Sequence, residues 1–343
     1  MIFFVGLCLA LAFSWFGSRL IKRRAVMLYW IAAALSLLTV AIAHSGVTVA
    51  ADWIFSLLPS CALATAFFAV VMYMAILPRG GTAVKRLLPI RGELSILACI
   101  LTLGHNLAYG KTYFFMLLTR PERLSGNLLV AAILSTVLAA IMIPLFVTSF
   151  PAVRKKMKAR KWKKLQRLAY WFYALVYVHV MLLAREFDRW DNILVYSAVF
   201  LPYGILRLRK ALRNHPIAAR KITAGLTIGA VVLVVLMCVP TPAPEPVPQE
   251  PVEPKIYVDG MYFGSGEGYV GETQVAVTVS GGRIQSVIVV SSKDDAPYVE
   301  DAKALIPGVI DAQHTHLNAI SGATYTSQAI LEAIEDALKE AER

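Results

Sequence analysis

Eight apolar stretches of near-spanning length fill the first 239 residues, at about 1–18, 25–43, 53–77, 93–109, 127–149, 168–184, 192–206 and 222–239. A helix needs about 20 apolar residues to cross a bilayer, so the pattern predicts a bundle of membrane-spanning helices. The loops alternate in charge. Segments 19–24, 79–91 (Arg79, Lys85, Arg86, Arg91), 154–167 and 207–221 are basic, whereas 44–52, 110–126 and 185–191 are neutral or mixed. Positive loops stay in the cytoplasm, which puts both chain ends outside. The first stretch has no basic residue before it and Arg19, Lys22, Arg23 and Arg24 after it. A signal peptide has the opposite order, so this stretch is read as a span.

Composition agrees: 57% of residues are hydrophobic, 16% are charged, and mean hydropathy is +0.61. The net charge of +12 is an average over two unlike parts. Residues 1–238 carry 28 Lys and Arg against 6 Asp and Glu, a net +22, and residues 239–343 carry 6 against 16, a net −10. The basic excess follows from membrane orientation, and no nucleic-acid partner is expected. Cys8, Cys61, Cys99 and Cys238 lie in apolar segments without a CxxC and read as small buried hydrophobes. The nine cations of 154–167 predict contact with anionic membrane lipid. Docking of an acidic cytosolic partner or a flavin phosphate is the other reading.

Three parts follow: a transmembrane domain at 1–239, a Pro/Glu-rich linker at 240–254 and a soluble domain at 255–343. The linker favours the extended polyproline conformation and acts as a semi-rigid spacer. Localisation is therefore the cell membrane, multi-pass, with the C-terminal domain extracytoplasmic.

Two histidines, His105 and His179, fall inside apolar stretches, and ionisable groups there are costly and usually functional. His105 lies 14 residues beyond Arg91 and His179 lies 13 beyond Gln166. Both spans run from inside to outside, so each histidine climbs about 20 Å at 1.5 Å per residue. Two imidazoles at one depth suit the axial positions of one haem b iron. With both positions filled, such a haem transfers electrons and leaves no site for oxygen. A structural zinc site wants four ligands, and no Cys or carboxylate completes one.

The segments RGELSILACILTLGH (91–105), PLFVTS (144–149) and WKKLQRLAYWFYALVYVH (162–179) resemble the ferric-reductase-like transmembrane domain. That family includes NADPH oxidases and the haem subunit of the bacterial methionine sulfoxide reductase system. The resemblance covers about 25–206, a six-helix core, with the first and eighth spans as additions. Relatives often carry a further histidine where this chain has Gln166. Those with two haems place an inner histidine where it has Arg91 and Gly92. The resemblance therefore implies one haem, held by His105 and His179. A quinol or a flavin at the cytoplasmic face must then bridge roughly 20 Å; Arg91, Lys163, Lys164 and Arg167 are candidates to hold a flavin phosphate.

In the soluble domain, glycines at 260, 264, 266, 268 and 271 predict turns and bulges. TQVAVTVS (273–280), Gly281-Gly282 and RIQSVIVVS (283–291) predict a β-hairpin. Helices are expected at 298–313 and 326–342, making a small α+β domain. Before the last helix stands Ser321-Gly322-Ala323-Thr324-Tyr325-Thr326-Ser327. Hydroxyls there could cap the helix, or the helix start could bind a phosphate.

DGMYFGSGEGYVG, the hairpin and SGATYTS, in this order over about 257–342, resemble the FMN-binding domain of Rnf and sodium-pumping NADH:quinone reductase subunits. There the Thr of S-G-A-T carries FMN as a phosphoester, installed by a flavin transferase outside the cytoplasm. The resemblance makes Thr324 the acceptor, with Ser321, Gly322, Ala323 and Tyr325 around the cofactor. Asn318 stands where that family usually has Asp. Tyr325 and Tyr262 are candidates to stack on the isoalloxazine.

The halves together predict a transmembrane flavocytochrome, an oxidoreductase. Its donor would be quinol or a cytosolic flavin reductase, because no GxGxxG strand-turn-helix is present, and its acceptor would be extracytoplasmic. One alternative is an ion-translocating Rnf/Nqr-like subunit, which would need carboxylates in its spans; only Glu93 comes near one. Another is a non-catalytic redox sensor, which would need a signalling domain.

Overall fold

The computed structural model describes residues 2–44, 57–78, 80–119, 121, 124, 126–187, 189–239, 257–294, 296–320 and 323–342. The chain divides into two compact units, Met1–Pro240 and Thr241–Arg343.

The first unit is helical: α1 (Ile2–Phe16), α2 (Ser18–Arg23), α3 (Ala25–His44), α4 (Ala62–Tyr73), α5 (Thr82–Leu87), α6 (Arg91–His105), α7 (Lys111–Thr119), α8 (Gly126–Val147), α9 (Pro151–Lys156), α10 (Ala159–Gln166), α11 (Leu168–Glu186), α12 (Trp190–Ala211) and α13 (Pro216–Cys238). Among the described residues, four helical stretches are long and apolar enough to cross a membrane: Thr82–Thr119, Gly126–Val147, Ala159–Glu186 and Pro216–Cys238. Ile2–Phe16, Ala25–Ala41 and Ala62–Tyr73 are apolar but shorter. Helix α12 has the length, but Asp191, Arg207, Arg209 and Lys210 at its ends dilute its apolar character.

Side-chain contacts fix which ends lie together. Phe3 stacks on Tyr196 at 3.9 Å, joining the start of α1 to the first half of α12. Cys61 Sγ lies 3.8 Å from Thr102 Oγ1, so α4 begins beside the end of α6. Tyr173 stacks on Phe200 at 4.1 Å, and Tyr177 Oη lies 2.8 Å from Ser197 Oγ, which sets α11 and α12 antiparallel. Trp162 Nε1 donates to Thr148 O at 3.0 Å, placing the end of α8 beside the approach to α11. Arg185 Nη1 donates to the carbonyls of Met237 and Val239 at 2.9 and 2.7 Å, satisfying the open end of α13. Ser36 Oγ donates to Ile100 O at 2.9 Å, and Tyr29 meets Phe150, so α3 runs with α6. These helices therefore alternate: α1, α4, α8 and α12 run one way, and α3, α6, α11 and α13 the other.

One stretch is longer than its hydropathy indicates. The span expected to stop at 109 continues through a π-helical turn, Asn106–Gly110, into α7. Lys111, expected in a loop, begins α7.

The second unit is a three-stranded antiparallel meander in the order β1 (Gly260–Glu267), β2 (Glu272–Ser280), β3 (Arg283–Ser292). It is followed by α14 (Ala296–Ala302), α15 (Ile306–Ala312) and α16 (Thr324–Ala341). The helix expected at 298–313 is thus two short helices joined by a 3-10 turn at Lys303–Leu305. Helix α16 buries Ile330, Ala333, Ile334, Ala337 and Leu338 against Val275, Val277 and Val279.

The glycines of β1 do not make the turns expected of them. They permit close approach: a Cβ at Gly264 would lie 2.1 Å from Ala333 O, and one at Gly266 would lie 2.1 Å from Ala329 O. The turn glycines are Gly281 and Gly282, with φ of +64° and +73°, the signature of a tight hairpin.

Asp259 braces that hairpin, accepting from Gly281 N at 2.9 Å and Gly282 N at 2.8 Å. These bonds favour the carboxylate and hold its pKa below the ordinary value. A lowered folded pKa means the stabilisation is full above the unfolded carboxylate value and is lost as pH falls through the folded one. Asp259→Asn is expected to melt the second unit earlier than wild type at neutral pH. Melting curves of the full chain check this: the gap should close as pH falls through the lowered folded-state pKa, where the wild-type carboxyl also becomes neutral.

Candidate functional site

The membrane unit brings the two intramembrane histidines to one end. His105 is the last residue of α6, immediately before the π-helical turn. His179 lies on α11, seven residues before its end. Because α6 and α11 run the same way, both imidazoles sit at the end where α13 finishes. Helix α6 packs chiefly on α3 and α4, and α11 on α8 and α12, so neither is the other's main neighbour.

His105 Nδ1 is hydrogen-bonded to Pro59 O at 2.6 Å. A carbonyl there fixes the proton on Nδ1 and leaves Nε2 as the lone-pair donor, the arrangement seen around metal-bound imidazoles. The backbone of α6 is held firmly at this point. A Cβ at Gly104 would lie 2.7 Å from Ser36 Cβ, so only glycine lets α3 approach this closely. His179 Nδ1 is buried with no hydrogen-bond partner, and the backbone of Ala131 on α8 lies beside its ring. A buried unpaired ring nitrogen is costly, and ligation at this nitrogen itself would offset part of that cost. The residues present fit a bis-histidine haem. The Pro59 carbonyl had no signal in the sequence, because it comes from the chain between α3 and α4.

Away from the histidines, the same helices pack side chain on side chain. Cys99, Leu138, Met142, Leu145 and Phe172 form one buried apolar cluster. Phe68 meets Phe172 edge-on at 5.1 Å. Gln166, where relatives often carry histidine, donates through Nε2 to Thr148 Oγ1 at 3.2 Å and so secures the end of α8. Nearby, Arg154 lies 4.3 Å over the Trp162 ring.

In the second unit, Thr324 is the first residue of α16 and is exposed. Among the described residues no side chain caps this helix: the N-cap is Ala323, and the hydroxyls of Thr326 and Ser327 are engaged elsewhere. Thr326 Oγ1 donates to Asp294 Oδ2 at 2.7 Å, and Ser327 Oγ accepts from Ile320 N at 3.1 Å. The N-cap role that the sequence offered for these hydroxyls is therefore not the one they take. The start of this 18-residue helix, beside an exposed hydroxyl, is the kind of place where a helix N-terminus binds an anion. Ala323 is buried and Tyr325 half-buried, and Ser321 and Gly322 lie outside the described residues. Asn318 is exposed.

Of the two candidate ring partners, Tyr325 adjoins Thr324, whereas Tyr262 does not. Tyr262 sits at the far end of β1, bonded to Val258 O at 2.9 Å, by the end of α16. The aromatic residue beside Tyr325 is Tyr269, with ring centroids 5.5 Å apart. Its signal was the Tyr-Val step inside GEGYVG, which reads as a turn.

Residues 60–177 match the ferric reductase like transmembrane component family, narrower than the 25–206 expected, and residues 268–339 match the FMN-binding domain family. The chain is thus a membrane redox protein with a ferric-reductase-like helical region and an FMN-binding domain. It belongs to one family with a protein of Treponema pallidum (strain Nichols) described as an uncharacterized protein, being 35% identical over 338 residues that cover 93% of this chain and 94% of the relative. An 80-residue segment is 36% identical to the NADH:acrylate oxidoreductase of Vibrio harveyi; it covers 23% of this chain but 8% of that protein. No solved structure matches the chain significantly.

Proposed function

We propose that this chain is a transmembrane flavocytochrome that conducts electrons from a cytoplasmic or quinol donor to an acceptor outside the cytoplasm. The observation that carries the reading is the pairing of His105 and His179 at one end of two parallel helices, in a chain that also bears an FMN-binding domain. His105, oriented by Pro59, and His179 would hold one b-type haem. Thr324 would carry FMN as a phosphoester, its phosphate at the N-terminus of α16. When bound, the haem supplies one-electron transfer and the FMN takes one or two electrons. The apolar cluster around Phe172 argues for a single haem. The basic loops at the other end set the orientation, with the histidine end and the FMN domain extracytoplasmic. Anionic lipid, a flavin transferase and the redox donor and acceptor are the partners this implies. The name of the Vibrio relative is in keeping with a small organic molecule as acceptor.

The test is the intact mass of the chain co-expressed with a flavin transferase, beside Thr324→Val. Wild type is expected to be heavier by one FMN less water, and the variant unmodified. Equal masses would remove Thr324 as the attachment site.

A further inference from the structure

We infer that the loop Gly268–Gly271 is the platform for the flavin ring, with Tyr269 and Tyr325 as its aromatic faces and Asp294 as the residue that positions it. This rests on the Thr324 reading above. Asp294 is 7% exposed and follows β3. Its two oxygens accept three hydrogen bonds: Tyr269 N at 3.0 Å and Thr326 Oγ1 at 2.7 Å to Oδ2, and Val270 N at 2.6 Å to Oδ1. One buried carboxylate therefore joins the β1–β2 loop to the first turn of α16. A fourth bond, Gly268 N to Gly271 O at 2.8 Å, closes the loop on itself.

The sequence allows this closure at one place. A Cβ at Gly268 would meet Asp294 Oδ2 at 2.5 Å, so any larger residue would push the loop off the carboxylate. The result is that Tyr269 stands 5.5 Å from Tyr325, centroid to centroid, directly beside the exposed Thr324. A flavin tethered there by its phosphate extends from the start of the helix along its ribityl chain, and this tyrosine pair, its rings inclined at 49° to each other, is the aromatic surface at that point. A half-buried aromatic ring gains by stacking on another ring. Tyr269 and Tyr325 are outside the apolar cluster that α16 makes with the sheet.

A phenol ring in contact with a flavin quenches its fluorescence, which gives a readout that a merely structural loop would not move. The full-length chain, flavinylated in the membrane and purified in detergent, is compared with Tyr269→Leu, Tyr269→Trp, Asp294→Asn and Thr326→Val. The haem background is common to all. The expected result is the same FMN mass in Tyr269→Leu with emission raised several-fold, and emission returned to the wild-type level by Tyr269→Trp. Asp294→Asn and Thr326→Val should raise emission in part, since each loosens the loop without removing the ring. Tyr269→Leu with FMN bound and wild-type emission overturns the platform. Tyr269→Leu raised but both Asp294→Asn and Thr326→Val unchanged overturns the positioning role of Asp294. A wild-type chain without FMN mass, or Thr324→Val with it, overturns the attachment reading and the platform with it.

Discussion

Gly266→Ala is expected to unfold the C-terminal unit and leave the membrane unit intact. The added methyl would sit 2.1 Å from the Ala329 carbonyl oxygen and 2.8 Å from Ala333 N. Both are helix backbone, so no side-chain rotation relieves the clash; α16 must lift from the sheet. That helix supplies Ile330, Ala333, Ile334, Ala337 and Leu338 to the core of the unit. Overpacking a core by a methyl costs about 1–3 kcal/mol, and more when nothing can move. Small domains are stable by only several kcal/mol, so a penalty at the upper end removes most of the folded population. Gly271→Ala is the control, because its methyl meets the flexible Lys293 side chain at 2.8 Å. Limited proteolysis and intact mass read the outcome: Gly266→Ala should lose the C-terminal unit to protease and carry no FMN, with the haem spectrum unaltered. A Gly266→Ala chain that is protease-resistant and flavinylated would show that α16 does not need this approach.

Those glycines mark the limit of what the sequence discloses. Glycine spacing in YFGSGEG is the same whether the chain turns or lies flat under a helix, and only the packing partner decides. The hairpin was legible because Gly281-Gly282 is flanked by alternating strands, a purely local pattern. Helix α16 was legible for the same reason, from Ile330, Ile334 and Leu338 on one face. The π-helical turn after His105 was not, because hydropathy does not register one extra residue in a turn. His105 and His179 stood out through the cost of an imidazole among apolar residues. Pro59, Tyr269 and Asp294 did not, because their parts depend on segments 46, 56 and 32 residues away in the chain. Long-range pairs of this kind leave no periodicity.

Replacing either His105 or His179 by alanine should abolish haem binding while flavinylation of Thr324 proceeds. The two effects separate because the histidines and Thr324 belong to different compact units. Losing an axial ligand costs more than losing its orienting partner, which alone lowers metal affinity by about 10–100-fold. For His105→Ala the Pro59 carbonyl also loses its hydrogen bond at 2.6 Å, a penalty of about 1–3 kcal/mol for a buried group. That sum weakens the bundle without dismantling it, since α3 still packs on α6 through Ser36 and Gly104. The haem-to-chain ratio and the reduced-minus-oxidised spectrum of purified protein provide the measurement. Wild type should give one haem per chain with a six-coordinate spectrum, and each variant close to none. Gln166→His extends the test to the other end of the bundle. It places an imidazole where two-haem relatives have one, yet Arg91 and Gly92 still stand in the other ligand's place and Cys99, Leu145 and Phe172 stay packed together, so the ratio should stay at one. A ratio of two, in wild type or in Gln166→His, would mean that these side chains give way to a second porphyrin. A full complement of haem in both alanine variants would move the ligands elsewhere on the chain.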